Sequence, residues 1–251
     1  MLASLQRFLR LVESRRQGFD ALVAATNLDQ TLSWTRNNRL QGFNRSAVRL
    51  RIINEMAKVF GATHFVETGT YHAATSICAH RCLGLPVWSC ELSRTKHWVA
   101  KAVTLGMGGI ELARLDSRSF LDRVVRKLRH RTDMLAMFYL DAHGDATCPL
   151  MEELALVLSL DSFVAIIDDF AVPASEFISR RYGGFELCVQ SIRDTLSLSG
   201  VRRVFFPNYP ASLETGQGRA GYTVFFRSAS LEQEMGKAAF PLSLLSPFEL
   251  S

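Results

Sequence analysis

Five short apolar runs in this chain each meet a carboxylate where they end. They lead to Glu67, Glu91, Asp116, Asp141 and the pair Asp168-Asp169. Asp and Glu are common helix caps, which accounts for some of these. Five in register with a glycine turn at Gly69 exceed that explanation. An acidic residue at the end of a second strand can accept both hydroxyls of a ribose in charge-assisted hydrogen bonds. Glu91 lies about two dozen residues after Gly69, the spacing used by nucleoside-binding α/β folds. His143, two residues past Asp141, is placed to take a proton from an attacking hydroxyl or amine. Its plainer reading is a satisfied polar residue at a helix start.

Gly69 stands in Thr63-His64-Phe65-Val66-Glu67-Thr68-Gly69-Thr70-Tyr71-His72-Ala73-Ala74-Thr75-Ser76, which reads as strand, tight turn and helix. A residue without Cβ lets the backbone bend sharply and lets a ligand come close. The free N–H groups of the following helix favour an anionic group. The two-glycine fingerprint of dinucleotide-binding folds is absent, and a pyrophosphate needs closer backbone approach than one glycine offers. A methionine-type ligand presents a carboxylate and an amine instead, which a helix N-terminus and Glu67 would serve.

The pattern Glu67-x-Gly69-x-x-x-Ala73 resembles the first motif of class I S-adenosylmethionine-dependent methyltransferases, with alanine in place of that motif's last glycine. Tyr139-Leu140-Asp141-Ala142-His143 is similar to a bacterial small-molecule O-methyltransferase subgroup with Leu-Asp-Ala-His at the fourth strand end. The similarity runs from about Gly61 to Phe170. It implies cofactor contacts at Glu67, Thr68, Gly69, Thr70, Tyr71, Thr75, Glu91, Leu92, Asp116, Ser117 and Asp141, with Asp116 and Ser117 flanking the adenine. The catalytic residues it implies are His143, Asp141 and Asp169. In catechol-type and macrocin-type relatives the carboxylates at strand ends four and five hold Mg²⁺, and Asp141, Asp168 and Asp169 match them in type. Mg²⁺ takes hard oxygen ligands and lowers the pKa of a bound hydroxyl. Converging carboxylates also repel one another unless a cation compensates. His143 as base without metal is the competing mechanism.

The elements that must position these groups alternate. Strands are expected at 63–67, 86–91, 109–114, 134–141 and 163–168, with helices at about 74–83, 93–106, 117–129 and 149–160. Such repetition predicts a parallel sheet covered on both faces with right-handed crossovers. A helix near 185–198 precedes the runs 202–207 and 222–227, read as an antiparallel closing pair. The expected fold is an α/β Rossmann-like methyltransferase sandwich on a mostly parallel seven-stranded sheet. Residues 1–60 read as an N-terminal helical cap whose third helix, about 45–60, turns Val48, Ile52, Ile53, Met56 and Val59 inward. The sheet domain then covers 61–251. Ligands of such sheets bind at the carboxyl ends of the strands. Substrate selection is assigned to the cap, with Trp34, and to Arg180-Arg181-Tyr182-Gly183-Gly184-Phe185-Glu186, whose aromatics Tyr182 and Phe185 suit a lid.

Composition bounds the rest. At 251 residues, 48% hydrophobic and 21% charged, the chain is an ordinary globular protein able to bury a large core. No apolar run reaches the ~20 residues that span a bilayer, so the default compartment is the cytoplasm. Five cysteines lack the spacing of a zinc site and are expected to be buried free thiols. Net charge is +5, with a cationic run from Arg123 to Arg131. A nucleic-acid footprint would interleave aromatics there, and none occur, so a solvated helix end is preferred. Nucleic acid therefore ranks below a small-molecule substrate, and a homodimer stays open. The alternatives are an RNA or nucleotide methyltransferase and an inactive cofactor-binding module.

Overall fold

The computed structural model describes residues 42–144, 146–214, 219–227 and 244–250. Trp34 and the first two helices of the expected cap lie outside the described residues. Leu40–Ser251 forms one compact unit, which includes the helix α1 (Ala47–Val59).

Five parallel strands form the body of the sheet: β1 (His64–Thr68), β2 (Val87–Cys90), β3 (Ile110–Ala113), β4 (Ala136–Leu140) and β5 (Phe163–Asp168). Three more complete it: β8 (Arg203–Pro207), β9 (Tyr222–Arg227) and β10 (Leu245–Glu249). The order is β3-β2-β1-β4-β5-β9-β8-β10. β9 runs antiparallel to β5, and β8 pairs antiparallel with β9. The sheet is thus the Rossmann-like, mostly parallel sandwich expected, with eight strands where seven were expected. The eighth, β10, carries Pro247, which reads as a break in sequence. Proline is tolerated on this edge strand because an edge leaves one row of backbone donors unpaired.

Alternation along the strands feeds two cores. Val66, Phe138, Ala165 and Ile167 face α4 (Ser117–Leu128), α5 (Leu150–Val157) and α6 (Val189–Leu198). Phe65, Met137, Tyr139 and Val164 face α1 and the helix α2 (Ala74–Cys78), whose last turn widens over Ala79–Leu83. Helix α3 (Arg94–Val103) follows β2 and is capped by Ser93, whose hydroxyl accepts from Lys96 N. On α4, Asp116 caps the N-terminus, and Phe120, Leu121, Val124, Val125 and Leu128 bury one stripe. Each such side chain contributes about 1.5–3 kcal/mol on leaving water.

Two expectations change in detail. Of the residues turned inward on α1, Ile52, Ile53 and Met56 are fully buried, whereas Val59 is exposed because the helix ends there. The helix expected from 185 begins at Val189. Ahead of it, Arg181–Tyr182 (β6) and Phe185–Glu186 (β7) pair as a hairpin turning on Gly183-Gly184. All five cysteines are free, but only Cys78 and Cys90 are buried; Cys148 and Cys188 are half-buried and Cys82 is exposed. In the cationic run Arg126 pairs with Asp122, Arg131 with Asp133, Arg129 donates to Ser159 Oγ and Lys127 lies over the Trp88 ring. Among the described residues no helix is long and apolar enough to cross a membrane.

Candidate active site at the strand ends

Strand order reverses between β2-β1 and β4-β5, so the carboxyl ends of β1 and β4 part and leave a crevice. Its floor is the turn after β1. Gly69 has φ +82, and a Cβ there would stand 2.7 Å from Asp141 C and 3.0 Å from Ala142 Cα. Only glycine combines that conformation with that approach. Gly69 N and Thr70 N donate to Cys90 O at 3.0 and 2.9 Å. Ala73, fully buried, is left-handed at φ +64. An alanine in this conformation carries a left-handed cost on the order of 1 kcal/mol.

Glu91 faces the crevice from the end of β2. Its two oxygens accept from Tyr71 N and Ser93 N, both at 2.8 Å, so the turn after β1 and the start of α3 fix its carboxylate. Leu92 is exposed beside it, and Asp116 and Ser117 border the same space. Asp116 accepts from Ser119 N, and this bond holds its pKa below the usual carboxylate range. The crevice encloses about 750 Å³ and continues past Gly69, Tyr71 and Asp141 to His143, Tyr182 and Phe185.

Several residues expected to touch a cofactor have side chains that hold the turn together. Glu67 is buried under it, takes hydrogen bonds from Ser76 and Ser89, and does not line the crevice. Burial pushes its pKa up to about 7, against the two serine bonds. Thr70 shares a 2.6 Å bond with Ser89, Thr68 Oγ1 accepts from Asp141 N, and Thr75 Oγ1 accepts from Phe43 N. The side chains of these three threonines are engaged in those bonds and do not line the crevice. Strand alternation and the turn aim them into the packing layer below. Gly69, Tyr71, Glu91, Leu92, Asp116, Ser117 and Asp141 do line it.

At the far end His143 Nε2 lies 3.4 Å from Asp141 Oδ1 and 3.6 Å from Asp169 Oδ2. It is buried without a hydrogen-bond partner in bonding geometry. Tyr182 OH donates to Asp169 Oδ2, its ring packs 4.5 Å from the His143 ring, and Arg180 Nη1 is 3.6 Å from the same oxygen. The two carboxylates are driven apart. Burial, and then the charges of Asp168 and Asp169, push Asp141 well above the usual range. For Asp169 burial works upward, but His143, Tyr182 and Arg180 bring it below that range. Divergent carboxyls of this kind separate a proton holder from a permanent anion.

Asp168, expected as a metal ligand with Asp141 and Asp169, turns its side chain away from this group. Its side chain accepts from Arg49 Nη1 at 2.5 Å, Tyr139 OH at 2.6 Å and Asn44 Nδ2 at 3.0 Å, and also from Asp169 N at 2.8 Å. Successive residues of a strand point to opposite faces, so Asp168 turns towards α1 while Asp169 turns to His143.

Arg49 had a legible signal that went unread. It stands one turn before Ile52 and Ile53, on the stripe that ends at Met56, and an arginine on an apolar face asks for a buried partner. Glu153 was also missed. It is buried, and that burial raises its pKa. It reads from sequence as one of two glutamates in the first turn of α5.

No family model and no curated protein sequence matches this chain. Among solved structures it is similar to the O-methyltransferase from Bacillus cereus in complex with SAH, at 18% identity and a TM-score of 0.49, covering 84% of this chain and 97% of that one. It is also similar to a SAM-dependent methyltransferase from Aquifex aeolicus, at 13% identity and a TM-score of 0.46, covering 72% of this chain and 92% of that one.

Proposed function

We propose that this chain is an S-adenosylmethionine-dependent methyltransferase acting on a hydroxyl of a small molecule. The observation that carries the reading is one continuous crevice with Glu91 at one end and His143, flanked by Asp141 and Asp169, at the other. A volume of about 750 Å³ lies within the range of small-molecule sites. Gly69 lets the floor of the crevice close against Asp141, where any side chain would collide with that backbone. The residues that would hold the cofactor are Glu91 at the ribose, Leu92, Asp116 and Ser117 around the base, and the turn Gly69 to Tyr71 at the amino-acid end. When bound, S-adenosylmethionine supplies an electrophilic methyl group on a sulfonium.

His143 does the proton work in this reading. With Nε2 turned to Asp141 and Asp169, the tautomer protonated on Nε2 is favoured and Nδ1 is left as acceptor. Nδ1 takes the hydroxyl proton as the substrate oxygen attacks. The imidazolium so formed is balanced by Asp169, which its surroundings keep ionised. Tyr182 and Phe185, from the β6–β7 hairpin, supply apolar walls to the substrate end. Mg²⁺ has no step here, because Asp168 is engaged by Arg49.

Calorimetry with S-adenosylmethionine, S-adenosylhomocysteine and NAD tests the cofactor assignment. Binding of the first two and not of NAD is expected. Tight NAD binding with no response to the others would overturn it.

A further inference from the structure

We infer that an internal guanidinium stands where a divalent cation would balance the strand-end carboxylates: Arg49 neutralises Asp168, and His143 with Arg180 faces the remaining pair, so the crevice is not built to hold Mg²⁺. The inference rests on the methyl-transfer reading for its chemical meaning, but not for its test.

Arg49 is fully buried on α1. Nη1 bonds Asp168 Oδ1 at 2.5 Å, Nη2 donates to Ala220 O at 2.7 Å and lies 3.4 Å from Glu214 Oε2, and the guanidinium sits 4.5 Å from the Tyr222 ring centre. Glu214 is itself tied to Tyr209, whose hydroxyl donates to it. The cation is therefore fixed from several sides and cannot swing away. An ionised carboxylate offers about four lone-pair sites. Those of Asp168 are taken by Arg49, Tyr139, Asn44 and its neighbour's N–H. A metal bound there would have to displace a donor and stand beside a like charge.

The backbone also holds this arrangement. Phe43, Asn44 and Arg45 are all left-handed, at φ +55, +56 and +61. Left-handed backbone in three consecutive non-glycine residues persists only where its surroundings over-determine it, and here it delivers the Asn44 amide to both oxygens of Asp168. That leaves Asp141 and Asp169, with the edge of an imidazole beside both and the Tyr182 hydroxyl already bonded to Asp169. Mg²⁺ demands near-ideal octahedral geometry at about 2.1 Å and gives up its waters reluctantly. Among the described residues no three His, Cys, Asp or Glu side chains are arranged to hold a metal.

Mn²⁺ is the probe, because it takes the same ligands and is paramagnetic. Titrated into the wild-type chain to millimolar concentration, it is expected to leave the amide resonances of Asp141 to Gly144 and of Asp169 unbroadened, with a melting temperature unchanged by Mn²⁺ or by EDTA. Selective broadening of those resonances, or a melting temperature that EDTA lowers and Mg²⁺ restores, would overturn the inference. The second arm is a cycle of Arg49→Gln, Asp168→Asn and the double variant. Arg49→Gln strands a buried carboxylate and should lower the melting temperature by roughly 10 °C, with the double variant recovering much of that loss. Additive losses would show that Arg49 does not act as the counter-cation of Asp168. If Arg49→Gln does not fold, the wild-type titration still decides. S-adenosylmethionine calorimetry on the same sample keeps the two readings apart, since its failure removes the cofactor and leaves the Mn²⁺ result standing.

Discussion

Gly69 and Asp141 touch backbone to backbone, and a Cβ on the first would lie 2.7 Å from the carbonyl carbon of the second, with the carbonyl oxygen nearer still. This contact seats the turn after β1 against the end of β4, so one glycine fixes the floor of the crevice between Glu91 and His143. Gly69→Ala is expected to destabilise the fold by about 3 kcal/mol, from the left-handed φ and the overpacking together. The melting temperature of a domain this size should drop by roughly 6–12 °C. A variant that melts like wild type would mean the two strand ends are not in contact.

The sequence made the strand ends legible because their signals are local. An apolar run ending in a carboxylate, or a glycine after a strand, is read within a few residues. Glu91, His143 and Asp169 stand out in that way, and the structure sets them along or beside one crevice. Its failures are all questions of direction or partnership. Nothing local distinguishes Asp168, which turns to Arg49 some hundred residues earlier, from Asp169, which turns to His143. Glu67 reads as a ligand by pattern, yet Ser76 and Ser89 draw it beneath the turn. Pro247 concealed β10, since a proline argues against a strand until its edge position is known.

Glu91 offers a second test. Both oxygens already accept one backbone N–H, and each retains a further lone pair on a side chain that lines the crevice. Glu91→Gln keeps the shape and one acceptor, so it should weaken S-adenosylmethionine binding less than Glu91→Ala. The alanine variant is expected to lose about 1–3 kcal/mol of affinity by calorimetry. Equal affinities for wild type and both variants would place the ribose elsewhere.

Glu67 gives a pH signature. Its folded pKa is raised to about 7, from an ordinary value of 4.5. The folded chain therefore holds a proton that the unfolded chain releases, and the stabilisation is complete below pH 4.5 and lost as pH rises through about 7. Over that window stability should fall by up to about 1.4 kcal/mol per pH unit from this group. Glu67→Gln cannot lose the proton. The variant should gain on wild type by on the order of 2–3 kcal/mol between pH 4.5 and pH 8. Urea unfolding of both proteins at the two pH values reads the difference, and a gap that does not change with pH would return Glu67 to an ordinary, solvated carboxylate.

His143 carries the last prediction, because it separates binding from chemistry. Methyl transfer is followed as S-adenosylhomocysteine release over a panel of hydroxylated small molecules. His143→Ala should lower kcat by about 10²- to 10⁴-fold, the usual contribution of a positioned base. The affinity for S-adenosylmethionine should stay within a few-fold of wild type, since Glu91 lies at the other end of the crevice. Asp169→Asn tests the anion behind the base. It keeps an acceptor for the Tyr182 hydroxyl but removes the charge that balances an imidazolium, so kcat should fall while KM changes little. Asp141→Asn should cost less, because its surroundings already favour the neutral acid. The order His143→Ala, then Asp169→Asn, then Asp141→Asn in lost rate is the expectation. If Asp141→Asn proves the most damaging while His143→Ala keeps its rate, the proton leaves through the carboxylate and His143 is a wall of the site.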